Sequence, residues 1–266
     1  MLLPLAGMVY LLVQQSDFSL AMDPLPSTSP LGHATSHAVT APAGAARAKA
    51  ASQRVKDLLA ADLAEKGLRW GAPVFLRAFK EEGSLELFLM HAETKQYLLF
   101  RTYRIAAQSG TLGPKLREGD GQVPEGFYAA GKRSMKPDSR FHLAFNVGYP
   151  NEYDVAHQRT GSFIMIHGNE VSIGCLAMTD ELIEEIYSLC DAALENGQPF
   201  FRIHFFPFRM TADRMEKARE SEHYAFWENL REGYDLFEWS RIPPETSVRD
   251  KRYQFRAAIP SSDATR

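Results

Sequence analysis

The sequence predicts a mixed α/β fold that is predominantly β, and two observations carry that expectation. Apolar residues alternate with others in short runs at 74–79, 85–90, 96–104, 141–148 and 199–206. Period-two patterning suits a partly buried strand, because successive side chains point to opposite faces. Helical spacing is confined to a leading segment, one stretch near 180–196 and part of the tail.

In chain order, residues 1–13 are mostly apolar, and Ser19-Leu20-Ala21 supplies small residues ahead of a cleavage point. The outline over 1–21 is that of a signal peptide or anchor, without the usual basic flank and too short for a membrane span. Residues 22–44, rich in Pro, Ser, Thr, Ala and Gly, read as a flexible leader. Over 45–67 the composition turns to Ala, Arg, Lys, Leu and Glu. Val55, Leu58, Leu59, Asp62 and Leu63 recur at spacings of three and four, which predicts an amphipathic covering helix that stops near Gly67.

A β-rich domain is expected over 68–209. Its first strand is followed by a hairpin turning at 91–95. Glycines, Pro114 and charges make 109–122 a loop, and 123–128 turns back into a strand. The run at 141–148 ends at Tyr149-Pro150-Asn151, residues 154–160 are polar and loop-like, and 163–166 forms a short strand ending at His167. Thr179 or Asp180 can cap the next helix, with Glu181 complementing its positive end. Leu182, Ile183, Ile186, Leu189 and Cys190 mark its apolar stripe, which makes Cys190 a core residue. Over 210–266 a helix within 211–231 gives way to a packed, irregular extension from Gly233 through Pro243-Pro244.

With 266 residues, 45% of them hydrophobic, the chain can bury one substantial core. A net charge of -3 with interspersed signs offers no basic face for nucleic acid. Two cysteines, Cys175 and Cys190, make neither a disulfide framework nor a Cys-rich metal site.

The stretch at 161–179 concentrates chemistry. His167 leaves a strand, and Cys175 follows in Ser172-Ile173-Gly174-Cys175, just ahead of the expected helix. A histidine can take a thiol proton, and helix amides can favour the thiolate. Amides near Gly174 and Cys175 could stabilise a tetrahedral oxyanion. The residues alone leave two other readings open. His167 can be a satisfied strand-end histidine beside a small buried cysteine, or His142, His157, His167 and Cys175 can ligate a metal, although their spacing forms no compact motif.

Further stretches stand around this centre: Gly113-Pro114-Lys115, Gly119-Asp120, Pro124-Glu125-Gly126-Phe127-Tyr128, Asn146-Val147-Gly148-Tyr149-Pro150-Asn151, Ile166-His167-Gly168 and Phe206-Pro207-Phe208-Arg209. With Ser172-Ile173-Gly174-Cys175, and in this order, they make the region from Val74 through Arg209, about half the chain, resemble the catalytic domain of the L,D-transpeptidase (YkuD-type) family, specifically its YafK-like branch. The resemblance implies a β-sandwich catalytic domain with flanking helices, and a periplasmic cysteine enzyme acting on diaminopimelate-containing peptidoglycan stem peptides. Cys175 would be the nucleophile, His167 the base, and Gly174 and Cys175 the oxyanion site. Gly168 would let the histidine loop bend, and Ser172 would order the cysteine turn. No cofactor, structural metal or nucleic acid is implied.

Three departures from the commoner family pattern stand out. Ile173 occupies a place where histidine commonly precedes Gly-Cys, Ala177 one where arginine often follows, and the His167–Cys175 spacing is short. Arg140, His142, Tyr149, Asn151 and Arg209 are candidates to replace the lost substrate contacts, each with a structural alternative; Lys115 and Glu125 read as loop or cleft architecture. The leading expectation is hydrolysis of an amide linking an envelope protein or cross-link to the wall, with wall-attached lipoprotein as a partner. The alternatives are L,D-transpeptidation and a non-catalytic wall-binding scaffold. An uncleaved N-terminal segment would add membrane association.

Overall fold

The computed structural model describes residues 44–258, so the expectations for 1–21, for nearly all of 22–44 and for 259–266 lie outside the described residues. A larger sheet is built from β1 (Val74–Phe79), β2 (Ser84–Met90), β3 (Tyr97–Arg104), β4 (Gly126–Gly131) and β9 (Phe200–Phe206), in the order β3-β2-β1-β9-β4. A smaller sheet holds β5 (Met135–Lys136), β6 (Ala144–Asn146), β7 (Met165–His167) and β8 (Leu176–Ala177), in chain order. Alternation along β9 sends Phe201, Ile203 and Phe205 into the core, where Phe201 meets Phe145 of β6 edge-on at 5.3 Å. Each such fully buried aromatic or branched side chain contributes about 2–3 kcal/mol from area alone.

The covering helix forms as expected. Helix α1 (Gly44–Glu65) buries Ala51, Val55, Leu59 and Leu63 and packs on α3 (Asp180–Glu195). Leu58 and Asp62 fall off the buried stripe: Leu58 is 67% exposed, and Asp62 pairs with Arg101 of β3. Thr179 caps α3, its hydroxyl accepting from the Leu182 amide at 3.3 Å, and Cys190 is fully buried on that helix.

Two local expectations are corrected. The polar stretch at 154–160 begins inside a short helix, α2 (Glu152–Ala156), because Asn151 accepts from the Asp154 amide at 3.0 Å and so caps it. The tail is more regular than its sequence suggests. After α4 (Ala212–Lys217), α5 runs Tyr224–Ser240 straight through Gly233, and β10 (Glu245–Arg249) and β11 (Arg252–Arg256) form a hairpin. Asp250 and Lys251 both take positive φ there, as a tight two-residue hairpin turn requires. Gly233 serves close packing rather than helix termination: a Cβ would lie 2.5 Å from Phe255 and 2.6 Å from Phe127.

This tail covers the outer face of the larger sheet. Phe79, Phe127 and Phe206 pack there with Trp227, Leu230, Tyr234 and Tyr253. The buried Glu125 carboxylate locks the seam, accepting from Trp227 Nε1 at 2.8 Å, the Gly113 amide at 2.7 Å and Lys80 Nζ at 3.1 Å.

Candidate active site

Strand pairing brings the two central residues together. β7 and β8 run parallel, with Ile166 opposite Leu176 and His167 opposite Ala177. Opposed residues share a face and alternate residues return to it. Ala177 therefore shares the His167 face, and Cys175 lies in the bend just before β8, its Sγ 3.4 Å from the amide of Met165, two residues before His167 on β7. No thiol–imidazole hydrogen bond joins them among the described residues. Such bonds often tighten only when substrate engages.

His167 is 3% exposed, with the Phe141 ring 4.8 Å away. Its Nδ1 lies 2.6 Å from the Gly168 carbonyl. A carbonyl only accepts, so Nδ1 carries the proton and Nε2 keeps the lone pair a base needs. Burial pushes the imidazole pKa below its ordinary value, with the Gly168 carbonyl acting the other way. Gly168 is demanded by crowding rather than by a sharp bend: a Cβ would lie 2.6 Å from Asp180 Oδ1 and 2.9 Å from the Phe141 carbonyl.

Cys175 Sγ accepts from the Met165 amide at 3.4 Å and lies 3.8 Å from the Phe163 carbonyl. Burial pushes the thiol pKa up, while the Met165 amide and the Lys115 charge act against it. Burial thus favours the neutral form of both groups. The expected help from a helix start is absent, because β8 separates Cys175 from α3. The Asp180 carboxylate, on the first turn of α3, instead accepts from the Asn169 amide at 2.8 Å and steadies the histidine loop.

Both amides expected to serve an oxyanion meet side-chain hydroxyls. The Gly174 amide donates to Ser109 Oγ at 2.6 Å, and the Cys175 amide to Ser172 Oγ at 3.1 Å. Ser172 Oγ in turn donates to the Cys175 carbonyl at 2.6 Å, closing the cysteine turn. Gly174 has φ +81, which glycine adopts without strain. Ser109 escaped the sequence reading because it lies in a glycine-rich loop with no periodicity.

A pocket of about 160 Å³ opens at the thiol, its wall including Lys115, Glu118, Phe163, Ile173, Gly174 and Cys175. His167 is not part of that wall. Ile173 is 87% exposed at the site. Lys115, read from sequence as architecture, is buried here, with Nζ 2.6 Å from Asp120 Oδ1 and 2.9 Å from the Arg117 carbonyl. Burial works to raise the Asp120 pKa, but the Arg117, Leu116 and Gln122 amides and the Lys115 ammonium hold it at about 2.

The five residues named for substrate contact do not line this pocket. Arg140 is exposed in a turn ahead of β6. His142, expected inside a strand, lies outside β6 with φ +63; its Nε2 is 2.8 Å from Glu184 Oε1, and its carbonyl accepts from Arg47 at 2.6 Å. It therefore faces the α1–α3 side. Tyr149 braces the pocket from behind, donating from Oη towards the Lys115 carbonyl (3.3 Å) and the Thr160 carbonyl (3.2 Å). Asn151 caps α2 and donates to the Phe127 carbonyl at 2.9 Å. Arg209 is engaged by Glu86 at 2.6 Å and stacks over Phe79 at 4.5 Å.

The L,D-transpeptidase catalytic domain model, YkuD, matches residues 89–204, a span that contains both His167 and Cys175. The Escherichia coli K12 protein named as the L,D-transpeptidase YafK is 48% identical over 183 residues, covering 69% of this chain and 74% of that protein. The O157:H7 counterpart matches to the same extent. Among solved structures, the helical cell shape determining protein Pgp2 from Campylobacter jejuni aligns with TM-score 0.40 at 17% identity, covering 73% of this chain and 80% of that one. Bd1075 from Bdellovibrio bacteriovorus aligns with TM-score 0.36 at 17% identity, over 69% and 84%. The chain belongs to the L,D-transpeptidase family.

Proposed function

We propose that this chain is a cysteine acyltransferase of peptidoglycan, an L,D-transpeptidase in activity as well as in family. The observation that carries the reading is the seating of the Cys175 thiol against β7, 3.4 Å from the Met165 amide and two residues before His167 on that strand, inside the span matched by the family's catalytic domain. Cys175 Sγ attacks the amide carbonyl of a diaminopimelate-containing stem peptide, forming a C–S bond. His167 Nε2 takes the thiol proton and passes it to the amine that leaves as the C–N bond breaks. A second amine then attacks the thioester, a new C–N bond forms and the thiol is restored. Gly174 and Cys175 amides turn from their serine partners to the oxyanion as it develops.

Water resolving the same thioester gives hydrolysis, the outcome expected first from sequence. The family and its relatives favour transfer. Hydrolysis keeps one supporting feature: Ile173 and Ala177 stand where the commoner family pattern has polar residues that shape the site or engage substrate, which counts against ordinary cross-link formation. Detachment of a wall-bound lipoprotein would be its form. The site of action is the periplasm, where this substrate lies. No helix among the described residues is long and apolar enough to cross a membrane.

The test is incubation with purified peptidoglycan bearing covalently attached lipoprotein, in ¹⁸O water, with mass spectrometry of the products. New diaminopimelate-to-diaminopimelate bonds or exchanged amines support transfer, and ¹⁸O in released carboxylates shifts the reading to hydrolysis. An inert wild-type protein that forms no acyl-enzyme returns the chain to the scaffold reading.

A further inference from the structure

The outer face of the larger sheet is covered at one end by the tail and left open at the other. The open part forms a groove of about 680 Å³, against about 160 Å³ for the thiol pocket. Small-ligand sites typically measure 300–1,000 Å³. The two linings share no residue.

Four features describe what this groove can hold. His204 lines it while only 1% exposed, and neither of its ring nitrogens has a hydrogen-bond partner. Its ring is wedged between Phe75 and Phe127, each 4.6 Å away, so His204 closes the floor of the groove and neither nitrogen is open to a ligand there. Arg202, two residues back on the same face of β9, also lines the groove and forms no ion pair among the described residues. Glu152, at the start of α2, also lines the groove, is exposed and is likewise unpaired among the described residues, whereas Glu245 is held by Arg256 at 2.9 Å.

The fourth feature is backbone. β4 is an edge strand. Phe127 turns its amide and carbonyl outward, to Tyr253 Oη at 3.5 Å and Asn151 Nδ2 at 2.9 Å. Alternate residues of an edge strand share that direction, so exposed Ala129 also turns its backbone groups away from β9, its carbonyl against Gly148 and its amide towards the groove it lines. Opposite it, the consecutive residues Glu245, Thr246, Ser247 and Val248 of β10 all line the groove. Side chains of a strand alternate, so four in a row mean that the strand edge itself borders the space, and β10 pairs only with β11.

We propose that this groove is a second peptide-binding site, which takes an extended peptide carrying both a carboxylate and an ammonium group. The peptide backbone adds to the exposed strand edges. Its carboxylate meets Arg202 and its ammonium meets Glu152. A stem peptide with a free diaminopimelate end has this chemistry, so the assignment rests on the peptidoglycan reading above. The groove holds the wall while the thiol pocket, too small to contain a stem peptide, engages only the atoms around the scissile amide.

The test uses full-length Cys175→Ala protein, which binds without turnover, and the probe L-alanyl-γ-D-glutamyl-meso-diaminopimelate. Amide shifts should appear at Ala129, Arg202, Thr246 and Val248, and Arg202→Gln should weaken this binding about tenfold or more. Ala129→Pro, which removes one outward amide from an edge strand where proline is tolerated, should weaken it as well, with circular dichroism confirming the fold. Alkylation of the thiol by iodoacetamide should be unchanged by Arg202→Gln in the Cys175-containing protein. Shifts confined to residues around Cys175, or binding indifferent to a folded Arg202→Gln protein, would overturn the assignment. Groove binding without acyl-enzyme formation by the wild type would leave the groove standing and remove the catalytic reading.

Discussion

The two cysteines make an instructive pair. Cys190 is fully enclosed on α3 among Ile183, Ile186 and Leu189, and burial, followed by the nearby Asp191 charge, pushes its pKa far up. Cys175 is also driven upward by burial, yet the Met165 amide points at its sulfur and the Lys115 charge works against the shift. It faces a pocket, and its sulfur lies against β7, the strand that ends in His167. Burial is common to both thiols. What separates a packing cysteine from a candidate nucleophile is the polar groups turned towards the sulfur and the open space beside it.

The comparison can be broken most severely by exchanging the roles. Cys175→Ala is expected to abolish acyl-enzyme formation and lower turnover by about 10⁴-fold or more. Cys190→Ala should leave kcat unchanged and cost about 1–2 kcal/mol of stability through a small cavity. Steady-state kinetics and denaturant unfolding read the two effects, and the opposite assignment would defeat the distinction.

Next in size is the base. His167→Gln should lower kcat by about 10²–10⁴-fold, the range for losing a positioned general base. Because burial depresses the imidazole pKa, Nε2 stays unprotonated further into acid than an ordinary histidine. The acid limb of kcat/KM should therefore lie below about pH 6.5, the unperturbed histidine value. A limb above that value, or one that survives His167→Gln, would show that another group sets it.

The Lys115 charge sharpens the contrast on a smaller scale. Lys115→Gln removes a cation that favours the Cys175 thiolate, so iodoacetamide labelling at pH 8 should slow by up to about tenfold, the equivalent of one pKa unit. Labelling should rise with pH in both proteins, with the variant's curve displaced to the alkaline side. A displacement to the acid side would contradict the placement of Lys115 at the pocket. Smallest is Ser172→Ala, which opens the hydroxyl clamp on the cysteine turn and should lower kcat several-fold, consistent with loss of about 1 kcal/mol per hydrogen bond. The labelling curve should stay in place, since neither of these bonds reaches the sulfur.

Much of the fold was legible because periodicity reports directly on burial. β1, β2, β3 and β9 of the larger sheet, α1 and α3 lie where alternation or helical spacing put them, whereas β4 followed from the turn at 123–128. The tail was harder, since Gly233 reads as a helix stop until its neighbours Phe127 and Phe255 are known. His167 and Cys175 were legible from their motifs, but Ser109 was not, because its partner Gly174 is 65 residues away. Arg209, Asn151 and His142 carry suitable chemistry and were named for substrate contact. Only the fold reveals that Glu86, the Phe127 carbonyl and Glu184 already engage them. Sequence shows which side chains can bind, whereas three-dimensional neighbours show what each already touches.

The central claim, that Cys175 carries the acyl group, is tested most directly by trapping. Wild-type protein incubated briefly with a diaminopimelate-containing tetrapeptide, quenched in acid, digested and examined by mass spectrometry should show the acyl adduct on the peptide that contains Cys175. The adduct should be absent from the Cys190 peptide and from Cys175→Ala protein. Product formation with no adduct on Cys175, or with an adduct on another residue, would contradict the account.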